Sequence, residues 1–154
     1  MMRYRDKASA YAQIQKTRPQ TLGYGLTDSP IGQAAWIYEK ILELSGDGIS
    51  YNDVLSFDEA LDDITLYWLT ATATSSARLY WESWDKDWGM TKVDMPVGCS
   101  IFPGEIYRAP EVWARRGFSN LFYWNELDRG GHFAAYEQPR LFVDEMQACF
   151  RTIR

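Results

Sequence analysis

The sequence predicts an α/β fold in which a helical segment, residues 1–90, precedes a β-α-β-α segment, residues 91–154. Helix caps and apolar residues at helical spacing indicate the first segment. In the second, two short apolar runs are each followed by a helical pattern, which is typical of parallel strands covered by helices. Because two parallel strands make a poor sheet on their own, this pattern indicates that part of a larger fold is missing.

Composition places the chain among globular proteins and excludes several classes of function. Hydrophobic residues make up 46% and charged residues 24% of the 154 residues, and the net charge is −5. The absence of a basic stripe argues against a nucleic-acid partner. No apolar run reaches the roughly 20 residues of a membrane span, and residues 1–16 lack the apolar core of a secretory signal. Cys99 and Cys149 form neither a disulfide framework nor a metal site, so we expect a reducing cytoplasm.

The N-terminal helices are located by their caps and breakers. Residues 1–27 predict a short helix followed by a loop that contains Gly23 and Gly25. Ser29 suits the cap and Pro30 the first position of the next helix, which Gly46 is expected to end.

Two further helices are predicted in the rest of this segment. Residues 56–59 form a capping-box pattern, and the apolar residues after it cover most of the helix circumference, so this helix should be well buried. Ser75 or Ser76 is expected to start the following helix.

The C-terminal segment carries the strand signals. Residues 93–98 predict a strand that ends in glycine, and residues 118–124 predict a second strand. A short helix is expected between them at residues 110–116. A glycine-rich turn at residues 128–131 leads to a last helix with apolar residues at helical spacing.

His132 is the single histidine and the first candidate for chemistry. It lies between a predicted strand and a helix, at the strand end where open α/β sheets bind ligands. A catalytic histidine needs a carboxylate that fixes its tautomer. Glu105 follows the other strand and would share this sheet edge if the strands are parallel neighbours. Asp128, four residues before His132, is the alternative partner, although it could simply cap the turn.

These residues carry a resemblance to a known family. Two segments resemble the acid and histidine motifs of microsomal-type epoxide hydrolases, FPGE at 102–105 and GGHFAA at 130–135. Three others, at 20–32, 66–70 and 75–80, resemble the family's cap segment and the helix that presents a tyrosine. The similarity covers nearly the whole chain in the family's order.

The resemblance implies a partial α/β-hydrolase fold, with a helical cap in residues 1–90 and the end of the core in residues 91–154. It implies that a nucleophilic aspartate opens an epoxide to an alkyl ester, which water then hydrolyses with help from His132 and Glu105. Tyr11 and Tyr80 take the places of the two tyrosines that donate to the epoxide oxygen. The implied partners are a small epoxide and water, with no metal or organic cofactor.

The sequence departs from the family at the nucleophile. The expected Gly-Gly-Asp-Trp-Gly elbow upstream of the cap is not present, so the N-terminal part of such a hydrolase becomes a candidate partner. Residues 87–89, Asp-Trp-Gly, imitate the elbow, but they follow a tryptophan-rich acidic stretch and enter a strand, whereas the elbow needs a strand before it and a helix after it. We therefore do not interpret Asp87 as the nucleophile.

Two alternatives remain at this stage. Another α/β-hydrolase, such as a dehalogenase or an esterase, is disfavoured by the paired tyrosines, since halide release needs no acid at oxygen. A catalytically inactive interaction module is favoured by the missing nucleophile.

Overall fold

The computed structural model describes residues 8–45, 55–84 and 92–153. In chain order these residues form α1 (Ala10–Thr17), α2 (Pro19–Asp28), α3 (Pro30–Leu44), α4 (Phe57–Leu69), α5 (Ala73–Ser83), β1 (Val97–Ile101), α6 (Glu111–Gly117), β2 (Leu121–Glu126), α7 (Ala134–Glu137) and α8 (Pro139–Arg151). The predicted order of helices followed by β-α-β-α is confirmed. The described residues form two compact units, residues 8–43 with 55–84 and residues 44–45 with 92–153.

Helix α2 replaces the loop that was predicted after the first helix, so that prediction is wrong. Pro19 starts α2, and both Gly23 and Gly25 lie inside it. A Cβ at Gly23 would lie 2.1 Å from Thr74 Oγ1, so this glycine lets α2 pack closely against α5. Close packing between helices therefore outweighs the low helix propensity of glycine.

The predicted caps of α3 and α4 are confirmed. Ser29 Oγ accepts a hydrogen bond from the Gly32 N–H at 3.0 Å, and Pro30 opens α3. Ser56 and Glu59 form the reciprocal capping box at the start of α4. Gly46, the expected end of α3, lies outside the described residues, and α3 ends at Leu44.

The deep burial that was predicted for α4 is wrong. Only Ala60 and Ile64 are buried in this helix, whereas Leu66 and Leu69 are 61% and 77% exposed. An apolar circumference shows what a helix could bury, but the described neighbours of α4 cover only one side of it.

Helix α5 starts earlier than predicted, at Ala73 rather than Ser75 or Ser76. Ala73 and Ala77 are buried at 4% and 1% exposure, one turn apart on the same face. The helix packs against α1 and α2, so the buried face formed by Ala73 and Ala77 begins two residues before the serine that was expected to start it.

The two strands pair in parallel, as predicted, but both lie further along the chain than predicted. Val93 and Phe118, the first residues of the predicted strands, form only an isolated parallel bridge. Gly98 lies inside β1 instead of ending it. A Cβ there would lie 2.3 Å from Cys149 Sγ on α8, so the close approach of this helix leaves no room for a side chain at position 98.

Glu145 on α8 connects that helix to both strands. Its side chain is 8% exposed and accepts hydrogen bonds from Ser100 Oγ, Tyr123 Oη and Asn125 Nδ2 at 2.9, 3.0 and 2.8 Å. A buried carboxylate is tolerated when donors surround it in this way. The network fixes α8 across the sheet that carries the candidate site.

Candidate active site

The loops that follow β1 and β2 are joined by backbone hydrogen bonds. The Leu127 N–H donates to the Ile101 carbonyl at 2.9 Å, just where the two strands end. The Gly104 N–H donates to the Gly130 carbonyl at 2.9 Å, which ties the loop of the acid to the loop of the histidine. Parallel pairing therefore places both loops at one edge of the sheet, where ligands bind in such folds.

Glu105 and His132 meet at this edge. His132 Nδ1 lies 3.0 Å from both carboxylate oxygens of Glu105. One of these oxygens also accepts the Ile106 N–H at 2.7 Å, which orients the carboxylate. A carboxylate only accepts, so Nδ1 carries the proton and Nε2 keeps the lone pair of a base. The side chains are 42% and 32% exposed, so solvent reaches the pair.

Asp128, the alternative partner, does not take this position. Its side chain is 80% exposed, and its carboxylate lies 3.9 Å from Arg129 Nη1. The structure thus brings His132 together with the more distant acid, Glu105.

Gly130 and Phe133 hold His132 from either side along the chain. Gly130 has a φ of +98°, a conformation that residues with a side chain rarely adopt, and Phe102 packs where its Cβ would be. The second glycine, Gly131, shows no such backbone requirement. The Phe133 ring lies edge-on to the imidazole, with 5.1 Å between ring centroids.

Tyr11 and Tyr80 are neighbours in the helical unit. Tyr11 lies on α1 and Tyr80 on α5, and their ring centroids are 6.1 Å apart in an edge-to-face arrangement. Tyr80 also stacks on Trp84 at 6.3 Å. Burial, with a smaller contribution from Tyr11, raises the pKa of Tyr80 from 10.0 to about 12. Tyr80 therefore stays protonated and keeps its O–H as a donor.

Two lysines beside the tyrosines were not predicted from the sequence. Lys40 Nζ lies 5.0 Å from the centre of the Tyr11 ring, and Lys16 Nζ lies 4.4 Å from that of Trp84. Burial lowers the pKa of Lys40, but hydrogen bonds to Glu39 and Glu43 outweigh this and raise it, so Lys40 stays cationic. Nothing in the spacing of these lysines could have signalled the contacts, which depend on how the helices pack.

Gln15 also supports the tyrosine pair. Its side chain is buried and hydrogen-bonds Tyr80, and its Oε1 accepts a hydrogen bond from Trp36 Nε1–H at 3.1 Å. This contact lowers the pKa of Tyr80 against the larger effect of burial. The sequence AYAQIQKT of this helix holds two glutamines and does not indicate that Gln15 is the buried one.

Asp87 lies outside the described residues. No group of three or more His, Cys, Asp or Glu side chains that could hold a metal ion occurs in residues 8–45, 55–84 and 92–153. In the same part of the chain, no helix is long and apolar enough to cross a membrane.

Comparisons with known proteins identify the lineage of this fold. No model of a protein family matches. Epoxide hydrolase 1 of Sus scrofa is 37% identical over 154 residues, which covers 92% of this chain and 34% of that protein. A Stigmatella aurantiaca protein that carries an epoxide hydrolase name is 54% identical over 151 residues, 98% of this chain and 34% of the relative.

Solved structures give the same result. An enantioselective mutant of the epoxide hydrolase from Aspergillus niger superimposes with a TM-score of 0.83 at 30% identity, over 98% of this chain and 38% of that one. The juvenile hormone epoxide hydrolase from the silkworm Bombyx mori also gives 0.83 at 30% identity, over 94% and 39% of the two chains.

The parallel strands with helices between them, and these superpositions, define the chain as part of an α/β-hydrolase fold. Within that superfamily the relatives that cover this chain carry epoxide hydrolase names, and the chain matches the C-terminal part of epoxide hydrolase structures. It spans about a third of the length of the curated relatives that it matches.

Proposed function

We propose that this chain is the C-terminal portion of an epoxide hydrolase, which adds water to a small epoxide to give a vicinal diol. The observation that carries the proposal is the hydrogen-bonded pair of His132 and Glu105 at the strand ends of an epoxide hydrolase fold. Residues 1–90 would act as the lid and residues 91–154 as the end of the core.

The reaction would proceed in two steps. A carboxylate from a part of the hydrolase that this chain does not contain attacks one epoxide carbon, and the carbon–oxygen bond breaks. The oxygen takes up a proton, and the product remains attached as an ester. A water molecule then gives a proton to His132 Nε2 and attacks the ester carbonyl. The ester carbon–oxygen bond breaks, and the leaving diol oxygen takes that proton back from the imidazolium. The carboxyl group loses its proton to solvent, which balances the proton taken up in the first step and restores the carboxylate.

Glu105 supports the second step. Its carboxylate holds the Nδ1–H of His132, so that Nε2 is the nitrogen that accepts the proton from water. It also lies 3.0 Å from Nδ1 of the ring that gains a positive charge in this step, which is the arrangement of a catalytic acid–histidine pair.

Tyr11 and Tyr80 would serve the first step. An epoxide oxygen that becomes an alkoxide needs hydrogen-bond donors, and two neutral phenols supply them. The raised pKa of Tyr80, about 12, keeps its phenol protonated at neutral pH. An acid at oxygen favours an epoxide over a halide as the substrate, since a halide leaves without a proton.

A chimera tests the proposal. The chain would replace the matching third of the Stigmatella aurantiaca relative, and styrene oxide would be assayed for diol. We expect diol formation from the chimera and none above background from the chain alone. In the chimera, His132→Gln should stop diol release and trap an ester, seen as a mass increase equal to that of one substrate molecule.

Asp87→Asn is the matched control. It should leave diol formation by the chimera unchanged, because Asp87 has no part in the proposed mechanism. If the chain alone made diol and Asp87→Asn abolished it, the nucleophile would lie within this chain. Normal turnover of the His132→Gln chimera would remove His132 from the mechanism.

A further inference from the structure

A second buried glutamate, Glu137, lies five residues after His132. Glu137 is 5% exposed and ends the short helix α7, which starts at Ala134. Its Oε1 accepts a hydrogen bond from the Phe133 backbone N–H at 3.0 Å. Its Oε2 is buried without a hydrogen-bond partner among the described residues.

This arrangement is unfavourable for folding alone. A buried oxygen without a partner loses the hydrogen bonds that water would have given it. An apolar side chain of similar volume would fill the same space without that loss. The contact that distinguishes Glu137 from such a side chain is the one to the Phe133 N–H.

Phe133 is the residue through which Glu137 reaches the candidate site. It directly follows His132 in the chain, and its ring lies edge-on to the imidazole. Its carbonyl accepts the N–H groups of Tyr136 and Glu137 at 2.8 and 2.9 Å, while its own N–H is held by the Glu137 carboxylate. Both backbone polar groups of Phe133 are therefore fixed.

We propose that Glu137 is a positioning residue, which fixes the Phe133 backbone and thereby holds His132 Nδ1 against Glu105. Glu137 contacts no reacting atom in this arrangement. The inference rests on the proposed role of His132 in ester hydrolysis, but it concerns the geometry of the imidazole and can be tested without turnover.

The test uses the fact that His132 is the only histidine of the chain. With 15N-labelled histidine, NMR reports the tautomer of one imidazole in the intact 154-residue chain. In alkaline buffer, where imidazole is neutral, we expect the Nδ1–H form to exceed the Nε2–H form by at least about tenfold. A hydrogen bond to a charged acceptor is strong enough to produce such a bias.

Two variants separate positioning from packing. Glu137→Leu keeps the volume but removes the acceptor, and it should lower the tautomer ratio at least about threefold even if the chain stays as stable as wild type. Glu137→Gln keeps a carbonyl oxygen for the Phe133 N–H and should restore the ratio to within about twofold of wild type.

Glu145 supplies the matched control, since it is also a buried glutamate in the same unit and binds Ser100, Tyr123 and Asn125 instead. Glu145→Leu should lower the melting temperature and leave the tautomer ratio of His132 within about twofold of wild type. The tautomer ratio of His132 should therefore change with Glu137, whereas the melting temperature should change with Glu145.

Three results would overturn the proposal. They are an unbiased tautomer mixture in the wild-type chain, an unchanged ratio in Glu137→Leu, and an equal fall of the ratio in Glu137→Leu and Glu145→Leu. The last result would mean that Glu137 only caps α7. None of these outcomes depends on diol formation, so the positioning proposal and the hydrolase proposal can fail separately.

Discussion

Gly130 offers a sharp test of how the loop of His132 is built. Gly130→Ala forces a side chain into a backbone conformation with a φ of +98°. Non-glycine residues in the left-handed region lose roughly 1–2 kcal/mol. The added Cβ would also lie 2.7 Å from Phe102 Cδ1, so the ring or the loop must move. Overpacking of this kind costs about 1–3 kcal/mol.

These effects combine to a measurable loss. Alanine restricts the unfolded chain more than glycine does, which returns about 0.4–1 kcal/mol. We therefore expect Gly130→Ala to lower the free energy of unfolding by about 3 kcal/mol, the middle of these ranges. Urea unfolding followed by tryptophan fluorescence would measure the loss, and the NMR signal of His132 should shift because its loop moves.

Gly117→Ala is the matched control for this experiment. Gly117 ends α6 in the same unit, and a Cβ there would meet no atom within 4 Å. Its free energy of unfolding should rise by about 0.4–1 kcal/mol, because the substitution restricts the unfolded chain and meets no clash in the folded one. Equal effects of the two substitutions, or an unchanged His132 signal in Gly130→Ala, would refute the idea that backbone conformation at Gly130 positions the histidine.

Three further outcomes are expected. Ala71 follows α4 with a φ of 52°, and its N–H donates to the Trp68 carbonyl at the end of the helix. Because glycine adopts this conformation more easily than alanine, Ala71→Gly should stabilise the chain by about 0.5–1 kcal/mol in thermal melts. Ala35→Gly, at an exposed position inside α3, should instead destabilise the chain by about 1 kcal/mol. Stability changes in the same direction for the two substitutions would contradict this reasoning. Burial raises the pKa of Tyr80 from 10.0 to about 12, so its contribution to folding stability is fully present below pH 10 and is lost as the pH rises through 12. Thermal melts across this range should show a smaller loss of stability with pH in Tyr80→Phe than in wild type. In the chimera, Tyr11→Phe and Tyr80→Phe should each retain partial single-turnover alkylation, whereas the double variant should fall at least about tenfold further, and a wild-type rate in the double variant would mean that both tyrosines only pack.

Local signals explain what could be predicted along the chain. The caps of α3 and α4 are made by residues within three or four positions of each other, so Ser29, Pro30 and the Ser56–Glu59 box were sufficient to place both starts. The order of helices followed by β-α-β-α was readable for the same reason. Each helix has its own periodicity, whatever it packs against.

Distant contacts explain what was mispredicted. Gly23 signals a loop in the sequence, yet it lies inside α2, where Thr74 on another helix leaves no room for a side chain. Both strands were placed too early, because a strand is defined by its partner and the register between β1 and β2 starts at Val97 and Leu121. The exposure of Leu66 and Leu69 could not be predicted either, since burial needs a neighbouring element and the sequence of α4 does not show which element packs against it.

The sequence by itself determined which residues could do chemistry: one histidine, an acid after each strand, and tyrosines on helices. Only the tertiary structure decided that Glu105 rather than Asp128 meets His132, and that Tyr11 meets Tyr80. Asp128 is nearer along the chain, but hydrogen bonds between the two strands bring Glu105 within 3.0 Å of the imidazole. The physical reason is that hydrogen bonding between parallel strands and packing between helices join residues that are far apart in the sequence. Distance along the chain therefore does not predict which of two candidate partners a side chain contacts.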